Sequence, residues 1–330
     1  MMKILKDIFK IDKHPRKGLL ALEWVVLGYL VFTLLFILFH YSKIEYPMEM
    51  IKERGKVIAI IVALWAVYRM VPCRFTLMCR VLAQMALLAR WYPNTYDLNR
   101  IFPNLDHIFA TAEQSVFGYQ PALVFAKEFP SVFVSELMDL GYASYYPMIV
   151  VVCFYYFFCK YQEFEKCVFV IITSFFLFYV LFIFLPVAGP TFYYKAAGLD
   201  NISRGIFPNV YDYFKTHLEC LPSPGKPGGL FYQLVENAKA AGERPTAAFP
   251  SSHVGISTIC MLLAWQSKNK NLLLLLLPFF VFLCLSTVYI QAHYAIDAIV
   301  GLLVGFVFWL CLTWSTEHIP SLRKYFKAKH

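Results

Sequence analysis

Charged side chains are scarce in this sequence. Only 15% of its 330 residues are Asp, Glu, Lys or Arg, whereas 59% are hydrophobic and 18% are aromatic. An average soluble domain has about 25% charged residues. This composition excludes an ordinary soluble domain and predicts an all-α polytopic membrane protein, because helices satisfy their own backbone hydrogen bonds in lipid.

The sequence also lacks the Cys and His spacings that hold zinc, and it shows neither an internal repeat nor a low-complexity segment. Its nine Cys residues are scattered, mostly within apolar runs, which favours packing over a disulfide framework. We therefore expect no metal and no cofactor. The net charge of +9 does not indicate a nucleic-acid partner, because Lys and Arg cluster at the chain ends and in short connections.

Long apolar runs predict about eight transmembrane helices. They cover residues 19–39, 57–71, 75–91, 145–158, 167–185, 252–265, 272–289 and 294–314. The third run contains Arg80 and Arg90, so it is either a span whose Arg side chains snorkel to the interfaces or a helix lying in the interface. Counting it as a span puts both basic chain ends in the cytoplasm, as the positive-inside rule predicts. The basic residues concerned are Lys3, Lys6, Lys10, Lys13, Arg16, Lys17, Arg323, Lys324, Lys327 and Lys329.

Two short motifs carry the candidate chemistry, and each places a His at the start of an apolar run. Ser251 and Ser252 precede His253 in a helix-start pattern, and a helix N-terminus offers free N–H groups to a phosphate. Asp297 follows His293 by four residues, so on a helix its carboxylate can reach the imidazole and hold one tautomer. The other ring nitrogen is then free to act as a nucleophile. These parts form a phosphoryl-transfer site that needs no metal.

Residues 250–253 (Pro-Ser-Ser-His) and the pattern Ser286-x6-His293-x3-Asp297 resemble two signatures of the type 2 phosphatidic acid phosphatase superfamily. The resemblance implies a six-helix core of that type with extra N-terminal spans. It also implies that His293 is a nucleophile forming a phosphohistidine and that Asp297 orients it. His253 is then the general acid for the leaving alcohol.

One position departs from the superfamily pattern. Its third signature usually has Arg directly after the Ser, and this chain has Thr287. The Ser286-Thr287 pair, together with Phe249 and the Pro190–Tyr194 element, resembles the motifs of the aureobasidin-sensitive inositol phosphorylceramide synthases. That branch implies transfer of inositol phosphate from a phospholipid to a ceramide-like lipid. The missing Arg also fits a phosphodiester donor, because a diester carries one negative charge and a monoester nearly two.

Residues near the motifs are candidates for holding the substrate. The phosphate-binding candidates are Ser251, Ser252, Arg244 and Lys195, with Arg204 and Lys239 as further cations. Tyr193 and Tyr194 are candidates for lining a polyol site.

The parity of the spans places both long polar segments on the outer face of the membrane. We divide the chain into N-terminal transmembrane helices (1–92), an amphipathic outer-face segment (93–144), a catalytic transmembrane core (145–315) and a basic cytoplasmic tail (316–330). The core contains the long loop 187–250.

Three functions are compatible with the sequence. The first is a membrane phosphotransferase that moves a phospho-head-group from a phospholipid to a ceramide-like lipid. The second is a lipid phosphate phosphatase with the same His/His/Asp site and water as acceptor, and the third is a non-catalytic membrane protein. We expect a bacterial inner membrane, with the active site facing the periplasm or, in an organelle, the lumen. The sequence leaves the acceptor, the head group and the oligomeric state open.

Overall fold

The chain folds as a bundle of helices, which confirms the predicted all-α class. The structure, a computed structural model, describes residues 7–13 and 15–327 and contains no strand within them. Three of the basic residues assigned to the cytoplasmic ends, Lys3, Lys6 and Lys329, lie outside the described residues.

Three long helices come first: α1 (Ala21–Phe39), α2 (Pro47–Met70) and α3 (Arg74–Asn99). The first polar segment forms α4 (Asp106–Phe117), α5 (Pro121–Glu128) and α6 (Val132–Ala143). Next come α7 (Tyr145–Cys159) and α8 (Tyr161–Phe184). The second polar segment carries α9 (Pro190–Ala197), α10 (Leu199–Ser203), a short 3-10 helix (Tyr213–Lys215) and α11 (Leu230–Gly242). The chain closes with α12 (Ser252–Gln266), α13 (Lys270–Tyr289), α14 (Ala295–His318) and α15 (Pro320–Lys327).

Within the described residues, four helices are long and apolar enough to cross a membrane, namely α1, α8, α13 and α14. The pair α6 and α7, bent by 46°, qualifies as a fifth if it is one span. The protein is therefore an integral membrane protein. Each of the eight predicted runs coincides with a helix. Helices α2 and α3 are more polar than the four long apolar helices, and α7 and α12 are shorter than they are.

Helix α3 runs beside α8 over its whole length. Near the start of both helices, the guanidinium of Arg74 lies 4.0 Å from the centre of the Tyr161 ring. Near their ends, the Asn99 amide donates to the carbonyl of Phe182 at 3.0 Å. The two helices are thus parallel, and α3 accompanies an apolar span from end to end. This contact favours a span over an interfacial helix for the third apolar run.

The snorkelling predicted for Arg80 is wrong. Its side chain is fully buried, and its Nε and Nη2 atoms donate to the carboxylate of Glu23 on α1 at 2.9 and 2.5 Å. A buried charge is costly unless it is paired and hydrogen-bonded, and Glu23 supplies that partner. Arg90, by contrast, is exposed and pairs with Glu53 of α2.

The two ends of the described chain meet at one end of the bundle. Arg16 lies 3.3 Å from the carboxylate of Glu165 and 3.6 Å from the centre of the Tyr325 ring. Helix α8 begins at this end. After the far end of α8, the N–H of Thr191 in α9 donates to the carbonyl of Gln291, beside His293, at 2.8 Å. The candidate site therefore lies at the end of the bundle opposite the chain ends.

Candidate active site

His293 lies in the short loop between α13 and α14. Its Nδ1 is 2.7 Å from the carbonyl oxygen of Ala248, and a carbonyl can only accept, so Nδ1 carries the proton and Nε2 carries the lone pair. The carbonyl of Thr287, the residue in place of the superfamily Arg, accepts from the backbone N–H of His293 at 2.9 Å. Burial lowers the pKa of His293 to about 4, although the Ala248 carbonyl and Glu243 counteract it. The ring is therefore neutral at neutral pH.

His253 is the second residue of α12. Ser251 caps this helix through its side chain, and the Nδ1 of His253 lies 3.4 Å from the Nε2 of His293. Its ring packs against Tyr142 and Tyr145, with ring centres 4.8 and 4.4 Å away. The two imidazoles therefore meet at one point of the site.

Asp297 lies in the first turn of α14, and its side chain is buried. Its Oδ2 accepts a hydrogen bond from the N–H of Tyr294 at 2.8 Å and lies 3.7 Å from the Nδ1 of His293. That distance is too long for a hydrogen bond. The tautomer is thus fixed by Ala248, a partner that the sequence reasoning missed, and Asp297 lies beside the ring without a hydrogen bond to it.

Helices α12 and α14 pack at very close range through glycines. A Cβ added at Gly301 would overlap the carbonyl oxygen of Ser251, and one added at Gly305 would overlap the carbonyl oxygen of Gly255. The N–H of Ser251 also donates to the carbonyl of Asp297 at 3.0 Å. These contacts hold the histidine-bearing start of α12 against the start of α14.

Asp106, at the start of α4, is a buried anchor for the site. Its carboxylate accepts from the N–H groups of Ala188 and Gly189 at 2.6 and 2.8 Å. It also accepts from the Asn104 amide at 2.6 Å and from the Tyr294 hydroxyl at 3.0 Å. Burial raises the pKa of this carboxyl, and the four hydrogen bonds counteract that rise. Asp106 thereby ties the loop after α8 to Tyr294, the residue next to His293.

A second carboxylate of α4 holds the start of α14. The Oε2 of Glu113 accepts from the N–H of Ile296 at 3.1 Å, one of the donors that a helix start leaves without an intrahelical partner. Burial raises the pKa of Glu113 to about 8, and the Ile296 N–H counteracts the rise. Sequence reasoning missed Glu113 and Asp106, because an isolated acidic residue in a polar segment carries no spacing signal.

The two Tyr residues proposed for a polyol site are already engaged by the protein. Tyr193 and Tyr194 are fully buried. The Tyr193 hydroxyl donates to the carbonyl of Pro208 at 2.8 Å, and the Tyr194 hydroxyl donates to the side chain of Gln120 at 3.0 Å. These contacts hold α9 in place and give no support to direct substrate binding.

The predicted phosphate-binding residues differ in their surroundings. Ser252 is buried at the start of α12, whereas Lys195 is exposed on α9. The Arg244 guanidinium donates to the carbonyl of Glu243 at 3.1 Å. Lys239 is buried. Burial raises the pKa of the Glu243 carboxyl, while Lys239 and His293 counteract that rise. The Nζ of Lys239 lies 3.4 Å from the carboxylate of Glu236, which is also on α11.

The fold and the site define an all-helical integral membrane protein in which two His side chains and a buried Asp lie together at one end of the bundle. The sequence model of the PAP2 superfamily matches residues 107–311, more than half of the chain, and the match contains both His residues and Asp297. The chain belongs to the PAP2 superfamily. This membership supports phosphatase or phosphotransferase chemistry on lipid phosphoesters. Searches of curated proteins and of solved structures found no match.

Proposed function

We propose that this protein is a lipid phosphotransferase that moves inositol phosphate from a phospholipid to a ceramide-like lipid. The observation that carries the proposal is the 3.4 Å contact between the Nε2 of His293 and the Nδ1 of His253. It brings a nucleophile and a proton-transfer group to one point, as nucleophilic catalysis with acid assistance requires. Membership of the superfamily supports the class of reaction.

The reaction proceeds in two steps. First, the Nε2 of His293 attacks phosphorus, the P–O bond to diacylglycerol breaks, and protonated His253 gives its proton to the departing oxygen. Asp297, close to Nδ1, offsets the positive charge of the phosphorylated imidazole. Then the acceptor hydroxyl gives its proton to His253, its oxygen bonds to phosphorus, and the N–P bond breaks. Both His residues return to their starting states, and the scheme uses no metal or cofactor.

The charges near the site support a diester donor over a monoester. Thr287 stands where the superfamily usually has Arg, and its hydroxyl is bonded to a backbone carbonyl at 2.9 Å. The carboxyl of Glu243 acts electrostatically on His293. A carboxylate there repels the second charge of a monoester but accepts hydrogen bonds from the hydroxyls of a polyol head group. These features favour the inositol phosphorylceramide synthase-like branch that the motifs resemble.

For the membrane arrangement, we propose a bacterial inner membrane with both termini in the cytoplasm and the His pair at the periplasmic face. The basic side chains of Arg16 and of residues 323–327 lie at the end of the bundle opposite the His pair, as the positive-inside rule favours. In a background without reactive native thiols, a membrane-impermeant thiol reagent added to intact cells should label Lys195→Cys and spare Lys324→Cys. Labelling of Lys324→Cys alone would reverse the orientation.

The test of function uses purified protein in detergent and phosphatidylinositol labelled in its head group, with and without ceramide. We expect label on ceramide, lost in His293→Ala and retained in the control His318→Ala, which changes an exposed His at the end of α14. Inositol phosphate or phosphate released equally with and without ceramide would identify a lipid phosphatase instead. Transfer that persists in His293→Ala would contradict the proposed nucleophile.

A further inference from the structure

A crevice with a cavity volume of about 280 Å³ lies between α3, α7 and α8. Its walls are almost entirely apolar. They include Leu82, Met85 and Ala89 of α3, Val150 and Phe154 of α7, and Phe175 of α8. The hydroxyl of Tyr179, which also lines the crevice, is bonded to a backbone carbonyl of α3 at 3.0 Å. The space therefore suits a hydrocarbon and not a polar ligand.

The depth of the crevice matches one leaflet of a bilayer. On α3 its wall extends from Met78 to Ala89, twelve residues whose ends lie about 17 Å apart at a rise of about 1.5 Å per residue. The hydrocarbon core of a bilayer is about 30 Å thick. The crevice also opens sideways, because Leu82, Val150 and Phe154 on its walls are 45%, 44% and 40% exposed. A lipid tail can thus enter from the membrane without leaving hydrocarbon.

One end of the crevice adjoins the His pair. The Tyr145 ring packs on the ring of His253, with 4.4 Å between the ring centres. The Tyr146 ring lies 4.9 Å from the Tyr145 ring and lines the crevice. The other end reaches Phe164 at the start of α8, on the side of the bundle where the chain ends meet. The crevice therefore runs from the candidate site into the depth of the membrane.

We propose that this crevice holds one acyl chain of the lipid that reacts at His293, with the phosphate at the His pair and the tail between α3 and α7. This inference rests on the proposed lipid chemistry and adds where the lipid is held. It assigns a substrate-binding role to α3, which lies outside the part of the chain matched by the superfamily.

The test uses phosphatidylinositol with a photoreactive diazirine in the middle of one acyl chain, in phosphatidylcholine vesicles that contain the protein. We expect cross-links concentrated on α3 and α7, equally in the wild type and in His293→Ala, because no turnover is needed. Ala86→Trp, which fills the crevice, should lower their yield about tenfold, as a misfit in an apolar pocket does. The matched control Ala59→Trp changes an equally exposed Ala of α2 and should leave the yield unchanged. Val150→Trp fills the crevice from its other wall and should repeat the effect of Ala86→Trp.

Cross-links spread evenly over lipid-facing positions such as Leu303 of α14, and unaffected by either crevice variant, would overturn the inference. The proposed function is judged separately by head-group transfer. Cross-links in the crevice without any transfer by the wild type would support the lipid site and overturn the transferase. Head-group transfer without cross-links in the crevice would support the transferase and overturn the lipid site.

Discussion

The Nδ1 of His293 donates to the carbonyl of Ala248 over 2.7 Å, and this backbone contact sets the tautomer of the ring that we propose as the nucleophile. In the best-known arrangements of this kind, a carboxylate holds the His, and its replacement by an amide costs about 10⁴-fold in rate because the wrong tautomer forms. In this protein the carboxylate of Asp297 does not hold the tautomer, because the Ala248 carbonyl does. We expect the remaining effect of Asp297 to be the stabilisation of positive charge that develops on the ring during the reaction.

Asp297→Asn should therefore lower kcat by only about ten- to a hundredfold, because it removes a charge and leaves the tautomer intact. The new amide oxygen can still accept from the N–H of Tyr294, so thermal stability should change little. Steady-state kinetics and thermal unfolding in detergent measure both effects, with Asp200→Asn, an exposed carboxylate on α10, as control. A loss of kcat near 10⁴-fold would show that Asp297, and not Ala248, sets the tautomer of His293.

The pH profile of kcat/KM tests the burial of His293. Burial lowers the pKa of this ring to about 4, so it loses its nucleophilic lone pair only as the pH falls well below about 6.5, the pKa of an exposed His. We expect the acidic limb of the profile to lie below pH 6.5. For stability, the contribution of the neutral ring is complete above about pH 6.5 and is lost as the pH falls towards 4, because the unfolded state binds the proton first. An acidic limb at pH 6.5 or above would show that the ring is solvated.

Asp106→Ala should destabilise the fold by about 3 kcal/mol or more, because it leaves the buried N–H donors of Ala188 and Gly189 unsatisfied. Activity should fall as well, since Tyr294 loses its anchor beside the nucleophile. Thermal unfolding in detergent gives the first effect and head-group transfer the second. Asp200→Ala serves as the exposed control, and equal unfolding temperatures for the two variants would argue against the anchoring role.

Gly301→Ala should separate α12 from α14, because its Cβ would overlap the carbonyl oxygen of Ser251. Displacing a catalytic group by about 1 Å costs about 100-fold in rate, and overpacking costs about 1–3 kcal/mol of stability. The matched control is Gly28→Ala on α1, where an added Cβ meets nothing within 4 Å. Wild-type kcat in Gly301→Ala would mean that the helices can part without moving His253.

The sequence predicts the parts of this protein whose signal is local. Apolar runs locate the long helices, although α8 begins at Tyr161, six residues before the predicted start, because a helix can extend into polar sequence beyond the membrane. His253, His293 and Asp297 are identified by their spacing in two motifs, and the structure brings all three together.

The missed parts depend on the tertiary fold. The carbonyl of Ala248 contacts His293 directly after Ala247, which adopts a left-handed φ of 66° that is uncommon outside glycine. Every residue has a carbonyl, so sequence cannot single this one out. The pairing of Arg80 with Glu23 joins residues 57 positions apart. Such a contact is set by helix packing, and neither residue's neighbours in sequence indicate it.

The most direct test of the proposed mechanism is to detect a covalent intermediate on His293 by mass spectrometry. Protein mixed with phosphatidylinositol and quenched at alkaline pH, where phosphohistidine survives, should carry an inositol-phosphate adduct on the peptide that contains His293. Addition of ceramide should discharge the adduct, and His293→Ala should never form it. An adduct on another residue, or head-group transfer with no adduct under conditions that slow the second step, would contradict catalysis by this histidine.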